Sequence, residues 1–133
     1  FDNQWLTGVP SLSRVDSVID FDWSDGTITP FGRDYVSVRW QGKLKGPSSE
    51  NHTFYLFAED GARLWIDHQL VIDAWEDSEK NNMEDDVNEY RALNVKLTEG
   101  AFHDIKIEFR ELTGNAFVRL QWSSFSRARH IAP

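Results

Sequence analysis

The chain has 133 residues, 14 Lys and Arg against 22 Asp and Glu for a formal charge of −8, and 40% apolar residues that include 9 Phe, 6 Trp and 3 Tyr. One core of ordinary size fits this length, and the apolar content excludes a disordered acidic segment. The acidic balance, with no basic run longer than two residues, excludes nucleic acid as a partner. No apolar stretch approaches the ~18 residues of a membrane span, so membrane insertion is not expected; zero Cys removes disulfides, thiolate metal sites and thiol nucleophiles.

Residues 1–33 read as irregular, punctuated by Gly8, Pro10, Gly26, Pro30 and Gly32, with 1–16 as a lead-in and one short extended run from Val18 to Trp23. From Tyr35 the pattern turns to period two. Val36, Val38 and Trp40 alternate with Ser37, Arg39 and Gln41, as in a strand with one buried face. Gly46-Pro47-Ser48-Ser49 is a turn cluster, and Thr53 to Phe57 is a second strand of β-branched and aromatic residues. Glu59-Asp60-Gly61 breaks it, with Gly61 expected to take the positive φ of the turn. Arg63 to Ile66 and Leu70 to Asp73 then flank Asp67-His68, a hairpin connection in which Gly would be the usual second residue. Three further strands are predicted at Tyr90 to Leu97, His103 to Glu111 and Asn115 to Ser123. Six to eight short strands without a helix predict an all-β fold, an antiparallel sandwich of two sheets, in a single domain over residues 1–133 that is expected to be a fragment of a larger protein.

Charge is unevenly spread. Glu76, Asp77, Glu79, Glu84, Asp85, Asp86 and Glu89 are opposed only by Lys80, so a local charge of −6 falls between positions 76 and 89. This stretch lacks the spacing of a helix–loop–helix calcium site and reads as a solvated loop. Trp40, Trp65 and Trp122 are expected in the core, Trp5 and Trp23 over a sheet edge or face. Arg39, Arg63, Arg110 and Arg119 are expected to screen acids across the sheets. The four His do not cluster, and no carboxylate pair is singled out for glycoside hydrolysis, so no enzyme activity is expected.

The order of these segments resembles the protective-antigen 14-kDa domain family, a jelly-roll-like β-sandwich module of the anthrax protective antigen type that is also found in fungal adhesins and glycosidases. The likeness runs from about Ser17 to Pro133. It is carried by Tyr35 to Leu44, Thr53 to Phe57, Glu59 to Asp67 and Leu70 to Trp75, with Ile19 to Trp23, Ile105 to Phe109, Val118 to Trp122 and Ile131-Ala132-Pro133 in support.

The resemblance implies a site at one end of the sandwich. In sugar-binding members an adjacent acidic pair, commonly Asp-Asp joined by a cis peptide, holds calcium together with a loop near the last strand, and the ion grips two vicinal hydroxyls. Ca²⁺ takes six to eight oxygens, so diol oxygens can complete the protein's set. The matching positions are Glu59 and Asp60, with Asn115 and the Phe117 carbonyl as companions and Gly61, Trp75, Glu76, Asp77 and Gly114 around the ligand. Glu59 departs from the usual Asp, and its extra methylene displaces one carboxylate. Two functions follow as expectations: a calcium-dependent carbohydrate-recognition module, extracellular or at the cell surface, or a metal-free structural and protein-interaction module joined to flanking domains of its parent protein. Asn51-His52-Thr53 fits a glycosylation sequon, consistent with the extracellular expectation.

Overall fold

In a computed structural model, residues 1–24, 26–28, 35–75, 88–111 and 116–132 are described. They form nine strands: β1 (Asp20–Ser24), β2 (Val36–Lys45), β3 (Asn51–Ala58), β4 (Gly61–Ile66), β5 (Gln69–Ala74), β6 (Asn88–Lys96), β7 (Phe102–Glu111), β8 (Ala116–Ser124) and β9 (Arg127–Ile131). One sheet has the order β1-β8-β3-β6, with β9 also on β8; the other has the order β2-β7-β4-β5, and every pairing is antiparallel. The two-sheet sandwich expected from the alternation is therefore the architecture.

The alternation explains the core. Phe54, Leu56 and Ala58 of β3 and Val118, Leu120 and Trp122 of β8 point inward from one sheet, and Ala62, Leu64 and Ile66 of β4 meet them with Ile107 and Phe109 of β7 from the other. Successive strand side chains point to opposite faces, so each of these runs fills one layer of the interior. Phe21 and Trp23 of β1 enter the same space, stacked 5.1 Å apart, with Phe21 also on Trp40 and Trp23 on Phe109.

Two expectations change here. β9 was not foreseen: Arg127-Ala128-Arg129-His130-Ile131 has no apolar alternation, and it is held by pairing with Gln121–Ser124 and by Trp122 Nε1–H donating to His130 Nε2 at 2.7 Å. Trp65 is not a core residue. It shares the outward parity of Arg63, and its half-buried ring lies between Lys106 Nζ at 4.1 Å and the Arg63 guanidinium at 5.5 Å.

The turn at Asp67-His68 shows how a hairpin manages without Gly. Both residues are left-handed, with φ of 48° and 67°, as the tightest hairpin turn requires. Side-chain bonds offset the strain. Asp67 accepts the Asp104 N–H at 3.0 Å and a bond from His103 Nδ1 at 2.7 Å, while His103 Nε2 accepts the Thr98 N–H at 3.1 Å. His68 Nε2 lies 2.9 Å from Asp104, which Lys43 also reaches.

At the same end, Glu50 ties the β8–β9 turn to β3. The Ser124 hydroxyl, then the Ser126 N–H and hydroxyl, pull its carboxyl down from 4.5 to about 2. The two Ser126 bonds have regular geometry at 3.0 and 2.8 Å, whereas Ser124 Oγ has no partner in bonding range, so Ser126 is the better-defined contact. A carboxyl lowered on folding adds stability that is complete above about pH 4.5 and is lost as the pH falls toward 2. Glu50→Gln is accordingly expected to be less stable than the wild type at neutral pH, with the difference closing between pH 4.5 and 2 in urea titrations followed by circular dichroism. A constant gap over that range would contradict it.

Candidate functional site

Strand direction decides which connections meet. Val36 pairs with Glu111, Gly61 with Arg110, Ala58 with Val118 and Asn88, Ser24 with Ala116, and Ala62 with Ala74. The connections β1–β2, β3–β4, β5–β6 and β7–β8 therefore leave from one end of the sandwich, and the Glu59-Asp60 turn is the one among them that is fully described.

Glu59 is 8% exposed, and its N–H donates to the Phe117 carbonyl at 3.1 Å, binding the turn to the start of β8. The main chain of the turn is thus tied to that of Phe117. A carbonyl oxygen has a second lone pair, so this bond does not exhaust Phe117 as a donor to a cation. The Glu59–Asp60 peptide is trans. Asp60, not Gly61, takes the left-handed backbone, with φ 43°, a conformation that Asp tolerates better than most residues.

Gly61 is required for a different reason. A Cβ there would stand 2.3 Å from the Trp75 carbonyl oxygen and 2.9 Å from Arg110 Nε, so β5 and the Arg110 side chain close over the bare α-carbon. The register that puts Gly61 opposite Arg110 was the signal for this, and it is visible only once strands are paired.

Trp75 follows β5 and is 7% exposed. The Arg63 guanidinium lies 4.0 Å and that of Arg110 4.8 Å from its ring centroid, and Arg110 Nη2 donates to its carbonyl at 2.7 Å. These cations cover the ring, so Trp75 packs within the fold rather than standing open as a stacking surface. Arg39 and Arg63 both reach Glu108, at 2.8 and 2.9 Å, and Arg119 reaches Asp20 at 2.7 Å, so the expected screening of acids holds for these three. Arg110 was placed with them by sequence, and its buried contacts with Trp75 and Gly61 were missed. Glu76, Asp77, Gly114 and Asn115 lie outside the described residues, as does most of the acidic stretch.

Two carboxylates and a main-chain carbonyl at one turn are hard oxygen donors of the kind Ca²⁺ takes, so the chemistry of the set fits that ion. Among the described residues no group of three or more His, Asp or Glu is placed to hold a metal. Among the described residues, two concavities lie away from this turn: one of about 290 Å³ is walled by the lead-in and β2 around Arg14, Trp23 and Trp40, and one of about 490 Å³ runs over Gln41, Lys43, Trp65 and Lys106.

The comparisons with known proteins agree with this architecture. Over 121 residues, 90% of the chain, it is 38% identical to anti-sigma-I factor RsgI3 of Acetivibrio thermocellus, of which it covers 18%. A solved anti-sigma factor domain-containing protein is 36% identical with a TM-score of 0.87, and another, from Clostridium clariflavum, is 42% identical with a TM-score of 0.86; both match the whole chain, which spans 44% and 42% of theirs. The chain thus spans less than half the length of these relatives. The PA14 domain of the MpAFP antifreeze protein, at 13% identity and a TM-score of 0.56 over 72% of this chain and 47% of that one, shares the fold. With the PA14 domain model matching residues 1–131, the chain belongs to the PA14 domain family.

Proposed function

We propose that this domain is a non-catalytic recognition module of a larger anti-sigma-type protein, displayed outside the cell, and that it takes a glycan through calcium at the loop end of the sandwich. Glu59, Asp60, the Phe117 carbonyl and Asn115 are the assigned calcium ligands, and Gly61, Trp75, Glu76, Asp77 and Gly114 border the sugar. The observation that carries the reading is the Glu59 N–H bond to Phe117, which joins the backbone of the acidic turn to the strand that follows the 112–115 connection. The anti-sigma names of the relatives support regulation by binding, with flanking domains as the partners to which occupancy is reported.

Calcium bound only by the folded state stabilises it, by about 2.7 kcal/mol at a hundredfold excess over Kd. Thermal unfolding in rising calcium is expected to show this shift, and Asp60→Asn, which tolerates the left-handed backbone but removes the charge, is expected to abolish it. An unmoved Tm at millimolar calcium would remove the metal from the reading. A glycan array with and without chelator decides the sugar.

One observation favours a metal-free protein-interaction module instead: Trp75 is covered by Arg63 and Arg110 and presents little ring to a sugar. That alternative gives no chelator-sensitive glycan binding and a domain that associates with its flanking segments regardless of calcium.

A further inference from the structure

Arg110 stands where three segments meet. It is 1% exposed, it donates to the Trp75 carbonyl at 2.7 Å, and its Nε and Cγ fill the space beside Gly61 at 2.9 and 3.1 Å from a Cβ position there. On its far side its guanidinium lies 5.9 Å from the ring centroid of Trp5, in the lead-in. One side chain therefore lies against the residue after Asp60, the residue that follows β5, and the N-terminal segment.

That segment is a clasp of polar bonds. Asn3 Oδ1 accepts the Trp5 and Thr7 N–H groups at 3.0 and 3.2 Å, and Asn3 Nδ2 donates to the Thr7 carbonyl at 2.9 Å. Ser37, fully buried on β2, fastens it: its Oγ accepts the Leu6 N–H at 3.0 Å and donates to the Asn3 carbonyl at 2.6 Å, and its N–H donates to the Phe1 carbonyl at 3.0 Å. Ser37 belongs to β2, which pairs with β7 at Arg110 itself. Clasp and turn thus share the Ser37–Arg110–Gly61 row of the sheet.

A guanidinium is a rigid planar fork, so Arg110 cannot be pushed aside at Gly61 without straining its bond to the Trp75 carbonyl or shifting against the Trp5 ring. Close packing gives such a displacement no void to disappear into. We propose that Arg110 is a positioning residue that couples the Glu59-Asp60-Gly61 turn to the Phe1–Thr7 clasp, so that a shift of the turn loosens the clasp. Its regulatory meaning rests on the turn being the ligand site, whereas the coupling itself requires no ligand.

Hydrogen exchange tests it in the protein without calcium or sugar. Gly61→Ala forces Arg110 or β5 aside, and it is expected to speed exchange of the Leu6 amide about tenfold while the Leu56 and Leu120 amides of the opposite sheet keep their wild-type rates. Arg110→Lys, which keeps the charge and loses the fork, is expected to do the same. Asp67→Asn, at the other end of the sandwich, serves as the comparison and is expected to leave Leu6 protected. Wild-type protection of Leu6 in Gly61→Ala, or acceleration there no greater than in the core, would overturn the coupling. Should Gly61→Ala not fold, reciprocity supplies the second reading: Trp5→Ala must speed exchange at Ala62 beyond any change at Leu120, and an unchanged Ala62 overturns the proposal equally. Failure of calcium to bind leaves all these rates as expected, so the two readings fail separately.

Discussion

Glu108→Ala is expected to lower the unfolding free energy by about 3 kcal/mol, the low end of the range for deleting one partner of a buried ion pair. Glu108 is 4% exposed at the centre of the outer face of its sheet, directly opposite Arg39 on β2 and Arg63 on β4. Both guanidiniums reach its carboxylate, at 2.8 and 2.9 Å. Removing it leaves two like charges facing each other across β7. The side chains of Arg39 and Arg63 keep 35% and 28% exposure, so water relieves part of the cost and the effect falls short of that for a fully enclosed triad. Glu108→Gln fills the same volume and keeps an acceptor, so it is expected to lie between wild type and Glu108→Ala. Urea unfolding of the three proteins checks this. Equal midpoints for Glu108→Ala and wild type would show that the triad contributes nothing net.

Trp122→Ala is expected to cost about 3–5 kcal/mol, as for other large aromatics deleted from a core. The ring is 2% exposed, packs against Phe54 with centroids 6.1 Å apart, and touches His52 and His130 at 5.5 and 5.9 Å. It also carries the bond to His130 that fastens β9. Trp122→Phe separates the two roles: it keeps most of the packing and loses the indole N–H, for an expected loss of about 1 kcal/mol. Loss of β9 pairing at Gln121 in Trp122→Phe, read by exchange of the Ile131 amide, distinguishes the fastening bond from the packing.

What could be read from sequence was whatever obeyed a period. Val36, Val38 and Trp40 announced β2, and Ile105, Ile107 and Phe109 announced β7, because alternation in a half-buried strand is local. β9 is held by its neighbour's backbone and one side-chain bond, and neither leaves a periodic trace in Arg127 to Ile131. Trp65 was misplaced because a tryptophan among apolar residues suggests a core, whereas its parity with Arg63 sets it outside. The acidic turn falls between β3 and β4, where the break in the strand pattern put it, but its bond to Phe117, the reason for Gly61 and the role of Arg110 depend on strand register, a long-range property. The rest of the expected ligand set, Glu76, Asp77, Gly114 and Asn115, lies outside the described residues.

The cation–aromatic contacts sort the six tryptophans into two environments. Trp5, Trp65 and Trp75 have Arg63, Lys106 or Arg110 within 6 Å of their rings. Trp23, Trp40 and Trp122 instead have aromatic neighbours, Phe21, Phe54 and Phe109 among them. Trp5, 60% exposed, is the indole most open to a soluble quencher, and Trp122, 2% exposed, is shielded from it. Trp5 is therefore expected to act as an intrinsic reporter on the N-terminal segment, distinguished from the interior tryptophans by its access to a soluble quencher, with no attached dye needed for that segment to be followed.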